Sequence, residues 1–589
     1  MIKKQCQNCN AEFVIEEEDL SFYQKINVPP PTFCPECRMQ RRMAWRNERS
    51  LYKRQCGLTG KEVITCFPPE SGITVYDRDE WWSDKWDPFS FGRSYDFNKP
   101  FFIQFRELLS RMPMPSLFNS RCEQTPYANH VGEQKNGYLL FASWGGENLA
   151  YTNKTLFSKD SLDLLASRYC ELGYQVVNSN KIYHSAFIEN SENCTDSWFL
   201  FDCKGCTSCF GCVNLRNKSY HLFNEPLTKE EYRDRLREIK TGSYEELQKL
   251  EERFQKLKQR PPHRFANIFN SQNATGDNLS HVNNVKYSFD LEESRDSKFL
   301  VNGGMQMNEG YDGYGVGASA ELLYEVIDTG DHGSRFFFVI FVRNGHDVQY
   351  SYACHGSHDL FGCIGLHKKA YCILNKQYTK EEYEKLLPQI IAQMNSMPYR
   401  DAKGRMYPYG EFFPYELSPF AYNETIAQEY FPLSEQTASA HGFVWRKLEQ
   451  KIHRAAIDAQ DLPDAIEEAD DAILDKVIGC VHHGNCVDQC TTAFKIIPRE
   501  LQFYKTMHLP LPRLCPNCRH YERLRQRNPM KLWERSCTCA GTHSENDDYK
   551  NIASHFHGEN PCPNEFQTSY HPDRPEIIYC ETCYQQEVA

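Results

Sequence analysis

Cysteine pairs separated by two residues mark both ends of this chain. Cys6 and Cys9 are followed, after a hairpin-sized segment, by Cys34 and Cys37. Four thiolates in two such pairs form the ligand set of a closed tetrahedral zinc site. At a constant offset of 481, Cys9, Phe13, Leu20, Phe22, Tyr23, Cys34, Cys37 and Arg38 meet Cys490, Phe494, Leu501, Phe503, Tyr504, Cys515, Cys518 and Arg519. The match continues without gaps through Arg42/Arg523, Arg46/Arg527 and Cys56/Cys537. Only the first knuckle departs, with Cys486 standing four residues before Cys490, a spacing zinc tolerates. Each copy thus supports the ligand set of the other. A third set is read as Cys539, Cys562, Cys580 and Cys583, with His555 and His557 as possible substitutes. One ion for each set gives an expectation of about three zinc per chain. Cys56 and Cys66 form no knuckle and read as small buried hydrophobes.

A denser run lies mid-chain, where Cys203, Cys206, Cys209 and Cys212 recur every third residue. Alone it suits an iron–sulfur cluster or zinc. At an offset of 151 the same segment returns with Cys354, Ser357, Leu360 and Cys363, and a leucine in a ligand slot points to an apolar interior. Packing is therefore favoured, with zinc and iron–sulfur as alternatives.

Arginines follow the second knuckle. Arg38, Arg42, Arg46 and Arg49 fall on one helical stripe beside Trp45 and Tyr52, and the second copy repeats it with Arg523 and Arg527. Such a stripe suits phosphate contacts with stacked bases. The competing reading is a solvated face paired with the chain's own acids, such as the run Asp464 to Asp475. The net charge of −12 argues against a protein that coats nucleic acid uniformly.

The ribbon pattern, C-x2-C-x-x-x-F, then F-Y, then P-x-x-C-x2-C-R, resembles probable zinc-ribbon domains. With Y52-K-R-Q-C-G-L-T-G-K-E, W81-W-S-D-K-W-D-P, F89-S-F-G-R-S-Y-D-F-N-K-P-F-F and, from Asp573, D-R-P-E-I-I-Y-C-E-T-C-Y, the whole chain resembles an uncharacterised family of cytoplasmic zinc-ribbon proteins from candidate-phylum bacteria. That resemblance implies metal binding and brings no activity with it.

The intervening elements must position these groups. W198-F-L-F-D, F210-G-C-V-N and Y220-H-L-F-N line up at offsets of 12 and 10, and Y350-S-Y-A-C, F361-G-C-I-G and Y371-C-I-L-N at 11 and 10. Aromatic strands at this interval, broken by Asn, Gly and Asp, suggest stacked coils. T228-K-E-E-Y and T379-K-E-E-Y are capping boxes that open helices. The expected fold is multidomain and β-rich, with terminal zinc ribbons flanking a parallel β-solenoid-like body that carries helical insertions. The expected segments are a ribbon with basic helix (1–60), an aromatic-rich linker (61–135), a first block (136–226), a helical insertion (227–262), a second block (263–378), a helical and linker region (379–480), a second ribbon (481–536) and the third zinc site (537–589).

The longest apolar run, Phe336 to Val342, is far too short to span a bilayer, and the first residues lack an apolar signal core. A cytoplasmic location is expected, and with it reduced cysteines, all 26 of them. Phosphate-cradling, nucleophile-elbow and zinc-protease motifs are missing from the sequence. Asp202, Asp290, Asp296, Asp328, Asp331, Asp347 and Asp359 show no spacing that demands catalysis. The expectation is a zinc-stabilised, non-enzymatic binding or scaffold protein that binds RNA through its arginines, without membrane or small-molecule partners. A protein-interaction scaffold and a β-helix carbohydrate enzyme are the alternatives.

Overall fold

The computed structural model describes residues 1–447 and 455–588. It divides into two compact units, each discontinuous in sequence. One comprises Met1–Phe118, Ala266–Lys447 and Met530–Leu532; the other comprises Asn119–Phe265, Leu448–Pro529 and Trp533–Ala589. Each unit holds one large, mostly parallel sheet and at least one cysteine-rich module.

In the second unit the sheet has eleven strands between Ala128 and Pro226, and its geometry follows from one local rule. Every third residue from His130 to Phe223 has a left-handed backbone, including side-chain-bearing residues such as Leu139, Tyr151 and Phe199. That conformation is costly outside glycine, roughly 1–3 kcal/mol each, so the surroundings must enforce it. Each left-handed residue turns the chain, and four turns close a twelve-residue ring. Parallel ladders accordingly climb at offsets of twelve: Tyr138, Ala150, Leu162, Tyr174, Ala186, Trp198, Phe210 and Leu222 are successive partners. Three residues along, Phe141, Asn153, Leu165, Val177, Glu189, Phe201 and Val213 form another.

The constant period corrects the expected offset of 10. Phe210 pairs with Leu222, and Tyr220 is itself a left-handed residue. In the first unit, likewise, Gln349 pairs with Phe361 and Phe361 with Ile373, a spacing of 12 in place of the expected 11 and 10. Resemblance between aromatic residues had obscured the ladder register. The nine-stranded sheet of that unit is less regular, with partners 11, 12 and 13 residues apart and a bulge between Ala274 and Gly276.

Residues pointing inward also recur every third position. In one ring they are Cys203, Cys206, Cys209 and Cys212, all fully buried. Serines fill equivalent slots below: Ser179 accepts the Ser191 N–H at 3.1 Å, Ser191 accepts the Cys203 N–H at 3.0 Å, and Ser197 accepts the Cys209 N–H at 3.1 Å. Each cysteine thiol donates to a backbone carbonyl two residues back, as the serine hydroxyls do. The three-residue spacing is thus the spacing of the fold's own interior. Ser357 and Leu360 occupy the same kind of buried slot in the other unit.

Helices close both blocks, opened by the expected boxes: Thr228 with Glu231 before Lys229–Glu238, and Thr379 with Glu382 before Lys380–Ser396. Among the described residues no helix is long and apolar enough to cross a membrane.

Candidate metal centres

Among the described residues, groups of four thiols that could hold metal include Cys6, Cys9, Cys34 and Cys37; Cys480, Cys490, Cys515 and Cys518; and Cys537, Cys562, Cys580 and Cys583. All three are built alike. A strand delivers the first cysteine: Ile2–Gln5 precedes Cys6, Ile478–Gly479 precedes Cys480, and Trp533–Ser536 precedes Cys537. Its antiparallel partner begins three residues after the second cysteine, at Glu12, Ala493 and Glu565. The third cysteine then opens a helix, namely Pro35–Met43, Pro516–Arg525 or Glu581–Val588. Its N–H donates back to the first sulfur: Cys34 to Cys6 at 3.2 Å, Cys515 to Cys480 at 3.3 Å, and Cys580 to Cys537 at 3.2 Å. A helix N-terminus and N–H donors both favour thiolate.

Two expected ligands change. Cys486 gives way to Cys480 in the second group, because the hairpin places the first ligand at the strand end whatever the loop length. Seven more residues separate the first two ligands here than in the first module. Cys486 lies instead with His482 and Asp488 against Cys518. In the third group Cys537 replaces Cys539 for the same reason, and Cys539 falls with His555, His557 and Cys583. A signal for Cys537 was present in the offset-481 match to Cys56, which also follows a strand, Tyr52–Gln55. Cys56 belongs to a fourth hairpin of this build: its N–H donates to Lys61 at 2.8 Å, as Cys6 donates to Ala11 at 2.9 Å. There Asp77 supplies the N–H to the Cys56 sulfur, at 3.1 Å. Thr59 stands three residues on, where the first module has Cys9, and Cys56 is buried as expected.

Tetrahedral zinc–sulfur bonds of 2.3 Å imply sulfurs about 3.8 Å apart. The separations found are 3.8 Å for Cys9–Cys34, 3.9 Å for Cys480–Cys518 and Cys490–Cys515, 3.5 Å for Cys515–Cys518, 3.9 Å for Cys562–Cys580 and 3.6 Å for Cys562–Cys583. These separations are close to that value, and the ligand atoms of each set all lie within 4.8 Å of one another. Side-chain amides support them, Asn8 donating to Cys37 at 3.3 Å and Asn564 to Cys580 at 3.2 Å. Behind Asn8, Arg405 donates to its carbonyl at 2.6 Å. Each set is electrostatically polarised. Hydrogen bonds from neighbouring thiols, Cys34, Cys480 and Cys537 respectively, hold Cys6, Cys515 and Cys580 far below the ordinary thiol range. Bonds from Cys34, Cys480 and Cys537 to the fourth sulfur of each set push Cys37, Cys518 and Cys583 far above it. A bound cation would let all four ionise.

The arginine stripe faces inward. Arg38 lies 2.9 Å from Asp312, Arg42 lies 3.0 Å from Asp312 and 2.7 Å from Glu325, and Arg46 lies 2.7 Å from Glu48 and 3.1 Å from Asp328. Arg41, absent from the expected stripe, joins Glu325 to Glu411 at 2.7 and 2.8 Å. None of Arg38, Arg41, Arg42 or Arg46 exceeds 4% exposure. Arg49 is half-buried, 3.8 Å from Glu429. The second unit repeats the device: Arg523 reaches Asp163 at 2.7 Å and Arg519 reaches it at 3.4 Å, while half-buried Arg527 donates to Asn178 at 2.7 Å. Arg38–Asp312 and Arg519–Asp163 are equivalent latches, and both aspartates are left-handed residues of their sheets. The arginines thus fasten each ribbon helix to the sheet of its own unit.

The aspartates are engaged too. Asp328 holds Arg46 and Arg343, Asp202 holds Arg216 and accepts from Tyr584, Asp347 pairs with Arg335, and Asp290 and Asp296 accept from Asn278 and Asn284.

No protein-family model matches this chain, and no curated protein does.

Proposed function

We propose that the chain is a zinc-stabilised, non-enzymatic scaffold whose solenoid-like sheets present flat faces to a protein partner. The observation that carries this reading is the inward direction of its chemistry. Four thiols leave no position for water or substrate, as in a structural rather than a catalytic zinc site. The basic helices, which RNA binding would need outside, are bound to buried acids. What faces outward is a ladder of mixed sign, with Lys135 3.7 Å from Glu147 and Lys159 3.0 Å from Glu171. Acid beside base in this way suits a complementary protein face better than a phosphate backbone.

RNA affinity of the intact protein at about 50 and 200 mM salt tests this, together with cross-linking of nuclease-treated extract. The expected result is no salt-steep RNA binding, and cross-links from a protein partner to Lys135 and Lys159. Tight RNA binding that weakens steeply with salt and disappears on charge reversal of exposed basic residues would reinstate the nucleic-acid reading.

A further inference from the structure

We infer that the third cysteine cluster is one half of a two-metal centre. A second divalent ion of the zinc class is held by Cys539, His555 and His557 and shares the Cys583 thiolate with the first. The inference rests on the metal reading of the Cys537, Cys562, Cys580 and Cys583 group.

The ligand atoms of Cys539, His555, His557 and Cys583 lie within 4.8 Å of one another, so Cys583 belongs to both sets. Both histidines are oriented by protein oxygens. The His555 side chain has no exposed surface, and its Nε2 lies 3.3 Å from Glu587. That carboxylate is itself fixed by the Tyr549 hydroxyl at 2.9 Å and the N–H groups of Ile552 and Ala553 at 2.8 and 3.2 Å. The other ring nitrogen, Nδ1, is buried without a hydrogen-bond partner. Leaving such a group bare is costly, a loss that a metal ion removes. In His557, Nδ1 lies 2.6 Å from the Asn560 carbonyl, and Nε2 lies 3.3 Å from the Cys583 sulfur. One nitrogen engaged by a protein oxygen and the other left for metal is how outer-shell groups fix a histidine ligand. Cys539 is held too, by the Asn551 amide at 3.3 Å, whose carbonyl accepts from Tyr579 at 2.7 Å.

Charge favours the pair. One divalent ion on four thiolates leaves a buried centre of net charge −2. Adding Cys539, two neutral imidazoles and a second ion brings it to −1, which costs less to bury. The long loop of residues 538–561 supplies the three extra ligands, whereas in the first module only two residues separate Cys6 from Cys9.

The test is metal content of the full chain, with 113Cd NMR after exchange. Wild type should hold one more equivalent than the double variant H555Q/H557Q. Its cadmium form should show one resonance of mixed sulfur–nitrogen type coupled through Cys583 to an all-sulfur resonance. Equal metal content in the two proteins, or cadmium resonances without mutual coupling, would overturn the proposal. If the double variant does not fold, the coupling in wild type decides alone. Loss of metal from all three four-thiol groups would instead refute the zinc-scaffold reading beneath it.

Discussion

Replacing Asp312 with Asn removes one buried charge and almost no volume. Asp312 faces Arg38 at 2.9 Å and Arg42 at 3.0 Å, and no side chain of the three is more than 2% exposed. Breaking a buried ion pair from one side typically costs 3–5 kcal/mol, because the remaining charge is left uncompensated. Glu325, 2.7 Å from Arg42 and 4.0 Å from Arg38, still compensates part of it, so about 3 kcal/mol is expected. For an m-value of about 3 kcal/mol/M this lowers the urea midpoint of that unit by roughly 1 M. Hydrogen exchange should locate the loss in the helix Pro35–Met43, while Lys3→Ala, which breaks the exposed pair with Glu12, leaves both readouts unchanged. The double variant R38M/D312L should recover most of the stability, since apolar replacement of a buried pair is often neutral. If Asp312→Asn leaves midpoint and exchange untouched yet abolishes RNA binding, the arginines do not serve as internal latches and the reasoning fails.

Cys480→Ser should cost the protein the metal of its second cluster, while Cys486→Ser leaves that cluster loaded, as elemental analysis of the two variants will show. Changing Cys203 and Cys209 to serine should leave metal content unaltered and cost under about 1.5 kcal/mol, because serine already fills those slots in lower rings; Leu200→Ala, which opens a void, should cost about 2–5 kcal/mol in the same denaturation assay. His367, stacked 4.3 Å from Trp82, is pushed down to about 4 by burial. Its neutral form is the folded one, so stability is fully present above the unfolded value of about 6.5 and is lost as pH falls towards 4, by roughly 3 kcal/mol in all. His367→Phe should flatten that part of the pH profile relative to wild type in urea titrations, and an unchanged slope would refute the assignment.

Sequence spacing revealed most of what is local. Thr228 and Thr379 named their helices, because a capping box is completed within four residues. Cys9, Cys34 and Cys37 named their cluster, because a two-residue gap and a helix start constrain them directly. The first ligands of the other two clusters were harder to read, since strand pairing places Cys480 and Cys537, and strand pairing is indifferent to the length of the loop that follows. Of the expected arginine stripe, Arg38 and Arg42 lie on the helix Pro35–Met43 while Arg46 and Arg49 follow its end, and their direction depends on acids such as Asp312, Glu325 and Glu411, hundreds of residues away. The run of Cys203 to Cys212 misled for a different reason. A three-residue period is rare enough in ordinary sheets to suggest ligands, yet here it is how often a side chain turns inward.

That period also restricts how the chain can change length. Deleting one residue between His130 and Phe223 would move inward-facing residues onto turning positions in every following ring of the stack. Removing three would restore the inward set but shift each later segment onto the neighbouring side, under the wrong ladder. Only a whole turn of twelve returns every residue to its column. Viable length variants of this region should therefore differ by complete rings, each carrying its own four interior residues, and growth by duplication of such a ring is open to this fold.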